Sequence, residues 1–122
     1  MTDEDIDLPA LIKRQITQQP VYQPYTGEHI QTQIHIDNEV SETRTLIEIE
    51  TEDHLGLLYM ISQTLSKLAV DIVNARIVTE RGAAIDSFYV CELNGGKITS
   101  PERQAAIERR LREAIQRLRA AA

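Results

Sequence analysis

Ile30-Gln31-Thr32-Gln33-Ile34-His35-Ile36-Asp37 is the stretch on which the fold turns. Its isoleucines and threonine alternate with Gln, His and Asp, a period of two that suits a half-buried strand. A polar turn over residues 38–43 leads into Thr45-Leu46-Ile47-Glu48-Ile49-Glu50-Thr51. This second run alternates too, with Ile47 and Ile49 on one face and Glu48 and Glu50 on the other. Leu57, Leu58, Ile61, Leu65 and Leu68 then recur at three- and four-residue steps, one face of a helix. Residues 70–79 are β-branched and read as a strand, Gly82 marks a turn, and residues 84–93 form a further strand that Asn94-Gly95-Gly96 breaks. Thr99-Ser100-Pro101-Glu102 opens a last helix, striped by Ile107, Leu111, Ile115 and Leu118. From Ile30 the order is β-β-α-β-β-α.

That order has a geometric consequence. In a ferredoxin-like βαββαβ sandwich the sheet order is 4-1-3-2, and the last strand lies antiparallel beside the first. Here residues 120–122 end the sequence straight after the final helix, so residues 30–37 are left to fill the vacant slot. They pair with residues 45–51 as a hairpin of the correct sense. The predicted fold is α+β: a circularly permuted ferredoxin-like sandwich, ββαββα, with two helices on one face of a four-stranded antiparallel sheet. The strand over 84–93 becomes central and is apolar on both sides, Phe88 and Val90 one way, Ile85, Tyr89 and Leu93 the other. A sheet covered on one side should carry one polar face. The second apolar set predicts a covered far face, most simply by a second copy, with a plain exposed patch as the alternative. The strand over 70–79 falls at an edge, where unpaired backbone groups invite a neighbour. A homodimer is expected.

Composition bounds the rest. The chain has 122 residues, enough for one domain with one core. Aromatics are only 4% of it, so the core must rest on Leu, Ile, Val and Ala. Thirteen basic against 19 acidic side chains give a net charge of −6, which disfavours nucleic-acid binding because phosphate neutralisation needs a basic surface. The single Cys91 excludes a disulfide framework and any CxxC motif. No apolar run approaches a membrane span, and the acidic start, Met1 to Asp7, is the reverse of a signal peptide. A cytoplasmic domain with no membrane partner is expected. Residues 1–29, acidic and then interrupted by Pro20 and Pro24, read as an N-terminal arm or linker, and residues 30–122 as the folded domain.

Several ordered pieces resemble an ACT domain, a small-molecule sensing module of this fold. They are Ile36-Asp37-Asn38, Leu46-Ile47-Glu48-Ile49, Asp53 with Gly56-Leu57-Leu58-Tyr59, Ala75-Arg76-Ile77, Asp86 with Phe88-Tyr89-Val90, and Gly95 before Lys97-Ile98. More narrowly, the set is similar to the C-terminal ACT repeat of bifunctional PII uridylyltransferase/uridylyl-removing enzymes, regulators of nitrogen metabolism. The chain departs from that pattern at His54-Leu55, where Arg-Pro is usual, and at Asn94, where Phe is common. The parent enzymes carry a Gly-Ser nucleotidyltransferase pair and a His-Asp phosphohydrolase pair. This sequence contains neither dipeptide. The resemblance therefore implies a non-catalytic regulatory module that senses an amino acid, glutamine foremost, with no cofactor. A ligand-free dimerisation or interaction module of the same fold is the alternative.

The resemblance places the ligand against the loop between the 45–51 strand and its helix, and nominates Asp53, His54, Leu55, Gly56, Leu57 and Asp71. Gly56, without Cβ, lets a ligand approach the backbone or simply makes a tight turn. The helix start offers N–H groups and a positive dipole end to an α-carboxylate, at Gly56 and Leu57. Asp53 reads as a helix N-cap or as the acceptor for a ligand ammonium. Asp71 is a strand-end charge or a cation contact, and His54 a loop histidine or a contact. His29, His35 and His54 lack partners at metal spacing, so no metal site is expected. Six arginines in the last helix, Arg103, Arg109, Arg110, Arg112, Arg117 and Arg119, read as a solvated face or as a surface for an acidic partner.

Overall fold

The computed structural model describes residues 30–121, and the arm expected over residues 1–29 lies outside them. Six elements follow one another: β1 (Gln33–Asp37), β2 (Thr45–Glu52), α1 (Leu57–Lys67), β3 (Val70–Glu80), β4 (Ala83–Glu92) and α2 (Pro101–Ala121). The strands form one antiparallel sheet in the order β1-β2-β4-β3. The early strand does occupy the slot beside β2, so the fold is the α+β sandwich that the pattern predicts. No described helix is long and apolar enough to cross a membrane.

Register assigns each face. The rows Ile36–Ile47–Phe88–Ala75 and Ile34–Ile49–Asp86–Ile77 run across the sheet on the helix side. With one exception, Asp86, they are apolar, and they join Leu57, Leu58, Ile61 and Leu65 of α1 and Ile107, Leu111 and Ile115 of α2 in one buried cluster. The opposite face is mixed rather than apolar throughout. Gln33–Glu50–Ile85–Val78 and His35–Glu48–Ser87–Arg76 cross it, then Asp37–Leu46–Tyr89–Asn74. Leu46 and Cys91 are nevertheless buried there. Leu93, expected to extend this apolar set, does not belong to it. It is 74% exposed in the turn after β4, which closes when Glu92 N–H donates to the Gly96 carbonyl and Gly95 N–H to the Glu92 carbonyl.

Two polar knots fix the layers. Thr45, fully buried at the start of β2, donates its hydroxyl to Asn38 Oδ1 at 2.6 Å and accepts the Ile98 N–H at 2.8 Å. Asn38 Nδ2 donates to the Ile98 carbonyl at 2.8 Å, so the β1–β2 turn is tied to the segment that enters α2. At the other knot, Arg103 reaches both Glu92 oxygens and the carbonyls of Leu68 and Ala69. It thus ties α2 to the end of β4 and to the left-handed turn at Ala69. Helix α2 starts where Ser100 Oγ accepts the Arg103 N–H, with Pro101 in its first position. Its arginines divide: Arg103, Arg112 (to the Thr32 carbonyl, 3.0 Å) and Arg119 reach back to the fold, whereas Arg109, Arg110 and Arg117 are exposed.

Asn38→Ala removes a donor and an acceptor from the first knot and leaves the Thr45 hydroxyl without an acceptor, while the Ile98 carbonyl keeps the Gln104 amide. It should cost about 1–3 kcal/mol, the usual penalty for a buried polar group left unpaired. Urea unfolding of the variant beside the parent chain measures it.

Candidate functional site

Strand β2 ends at Glu52, and residues 53–56 carry the chain over to α1. The Asp53 N–H donates to the Gly82 carbonyl at 2.8 Å, which pins this loop to the β3–β4 turn. That turn has Arg81 and Gly82 at φ 51° and 80°, as a two-residue hairpin of the I′ type requires. Gly56 stands at φ 84°, ψ 1° and is itself the N-cap of α1, with no side chain capping the helix. Asp53 is therefore not the cap. It lies too far back along the chain, because one left-handed residue turns the loop directly into the helix. A Cβ added at Gly56 would meet nothing within 4 Å. The glycine is required by its backbone conformation, and the space in front of it is open.

The expected residues separate on this frame. Asp53 and His54 are partly buried, and Leu55 is 43% exposed. The Leu57 side chain lies in the core, and its N–H is already taken by the His54 carbonyl at 3.1 Å. Leu57 is thus a packing residue, and an anion arriving at the helix start would not find its N–H available. Asp71 is exposed at the opposite end of the sheet. It pairs with Cys91, whereas the loop adjoins Ala83, and those two residues of β4 are separated by roughly 26 Å at about 3.3 Å per residue. Within one chain Asp71 and the loop do not share a site.

Other groups do gather at the loop. His54 Nε2 lies 3.4 Å from Glu52 Oε2, and Arg119 reaches Glu52 Oε1 at 3.8 Å. Glu52, His54, Gln116, Arg119 and Ala120 line an open cleft of about 420 Å³. Burial pushes the Asp53 carboxyl upward, against the opposing pull of His54. Glu52, Gln116 and Arg119 were invisible as neighbours of this loop in the sequence, because the helix turn that faces it is set by tertiary packing. Asp86 was legible only as part of a motif.

Comparison with known proteins adds three findings. The ACR9-like, ACT-like domain family matches residues 33–121. A bifunctional uridylyltransferase/uridylyl-removing enzyme of Nitrobacter hamburgensis is 34% identical over 89% of this chain and 11% of its own length. Enzymes of the same name from Cereibacter sphaeroides and Rhodopseudomonas palustris are each 42% identical, over 69% and 67% of this chain and 9% of theirs. The chain spans about a tenth of the length of these curated relatives. No solved structure matches.

Because Gly56 is held by conformation alone, Gly56→Ala should destabilise the chain by about 1–2 kcal/mol, the cost of a left-handed L-residue. Gly56→Asn should cost less, since Asn tolerates this region. Equal losses for both variants in denaturant unfolding would contradict the assignment.

Proposed function

The chain belongs to the ACR9-like, ACT-like domain family, and from that premise we propose that it is a non-catalytic regulatory module sensing a free α-amino acid, glutamine foremost. One observation carries the reading. At the loop where the ACT resemblance puts the ligand, α1 begins at a left-handed glycine with no capping side chain and open space before it. A ligand carboxylate would meet the first-turn N–H groups beyond Leu57, favoured by the positive end of the helix dipole. Asp53 would receive the ammonium. The relatives named as uridylyltransferase/uridylyl-removing enzymes support a module that works alongside a nucleotidyltransferase. In this reading it reports amino-acid levels to that enzyme in the cytoplasm and acts on it allosterically.

Asp71 enters this proposal only through a homodimer. Strand β3 is an edge of the sheet. Two β3 edges paired antiparallel about a two-fold axis would carry the partner's Asp71 toward the Glu80 end, the end that holds the loop. A second reading, an interaction module without ligand, is favoured by that same edge, where Val73 and Val78 are 38% and 36% exposed.

Melting curves of the chain with each of the twenty amino acids at millimolar concentration test the sensor. A ligand at a hundred times its Kd should stabilise the fold by about 2.7 kcal/mol, and Asp53→Ala should abolish most of that gain. If no amino acid raises the melting temperature, the interaction module takes its place. Sedimentation equilibrium at about 100 μM should show a dimer, and a monomer alone would remove the partner's Asp71 from the site. Purified chain given UTP and a PII protein should transfer no uridylyl group.

A further inference from the structure

Asp86 is the exception in the helix-facing rows of the sheet. It is 2% exposed, between Ile49 of β2 and Ile77 of β3, with Ile34 of β1 completing the row. Its Oδ1 finds no hydrogen-bond partner among the described residues. A buried carboxylate left this way costs several kcal/mol, so such a group usually keeps its proton. The surroundings supply little relief. The Val78 N–H interacts favourably with the carboxyl, Asp53 of the β2–α1 loop sets a second negative charge against it, and His54 offsets Asp53 rather than Asp86. Glu52 and Arg119 face one another at the cleft outside, and Arg81 stands exposed beside Gly82 in the turn that anchors the loop.

We propose that Asp86 is a proton-binding site whose occupancy sets the position of the β2–α1 loop. With the proton on, the carboxyl is neutral and the loop lies down on an uncharged sheet. With the proton off, the buried anion, met by the Val78 N–H but with Oδ1 unpaired, repels Asp53. That repulsion reaches the loop at Asp53, whose N–H bonds the Gly82 carbonyl, and drives the loop outward. The module would thus respond to pH near neutrality in the absence of any ligand.

Burial, and then Asp53, raise the Asp86 carboxyl from 3.8 to about 7. A folded value above the unfolded one means that the native chain holds a proton the unfolded chain has lost. The stabilisation is complete below about pH 4 and drains as pH rises through about 7. Across that window the folding constant should fall about tenfold per pH unit.

The test is a ¹³C-carboxyl NMR titration of the full chain from pH 4 to 8, read together with the amide shifts of residues 53–57. No amino acid is present, so the outcome does not depend on the sensing proposal. The Asp86 carboxyl and the loop amides should titrate together with a midpoint near 7. Asp86→Asn should abolish the amide step, and Asp53→Asn should move it to lower pH. An Asp86 carboxyl that titrates near 4, or loop amides that ignore its titration, would overturn the proposal. Both are read on the parent chain, so the result stands even if a variant fails to fold.

Discussion

The buried hydroxyl of Thr45 is the constraint on which the arrangement depends. It stands where β2 begins, and it links the β1–β2 turn, through Asn38, to the segment that delivers α2 beneath the sheet. A short edge strand of five residues contributes few ladder bonds of its own. Its place beside β2 is therefore secured from one end by this knot. From the other it is secured by the Thr32–Thr51 hydroxyl pair and by Arg112 on the Thr32 carbonyl. Lys97 adds a bond to the Asn38 carbonyl at 2.9 Å. These contacts bridge residues far apart in sequence, and they hold β1 in its slot beside β2.

The β2–α1 loop hangs from this frame at the far end of β2. Three backbone bonds help to orient it, Asp53 on Gly82, Leu57 on His54 and Met60 on Gly56, and His54 lies against Glu52. Each of these backbone bonds is worth only about 1 kcal/mol net. Beneath the loop lies the least comfortable group in the core, Asp86. Rigidity and strain thus sit on the two sides of one short segment, an arrangement common where a protein must respond rather than merely persist.

The layers were legible because periodicity is a direct print of burial. Ile34, Ile36, Ile47 and Ile49 announce a half-buried pair of strands, and Leu57, Leu58, Ile61 and Leu65 a helix face. The site was legible only in part. Asp53 looks like a cap because it is a short acid ahead of a helix, yet the backbone angle that makes Gly56 the cap leaves no mark on the side-chain pattern. Asp71 and the loop look adjacent when motifs are read in order, but antiparallel topology sends the start of β3 to the other end of the sheet. The pairing of Glu52 with Arg119 joins residues of two separate elements, a relation that no local window contains.

The tight turn at Arg81 and Gly82 has a consequence for how the chain finds this structure. It joins the two longest strands, eleven and ten residues, through the fewest possible linking residues. Closing so short a loop costs little chain entropy, so this hairpin can form on the microsecond scale before any distant pairing is in place. The β2–β4 ladder must wait for α1 to fold back, and the Arg103 contacts must wait for α2. The β3–β4 ribbon is then the template on which the sheet condenses. It is also the part that would persist longest as the rest of the domain opens, leaving the β3 edge and the Gly82 anchor of the loop intact until the last stage of unfolding.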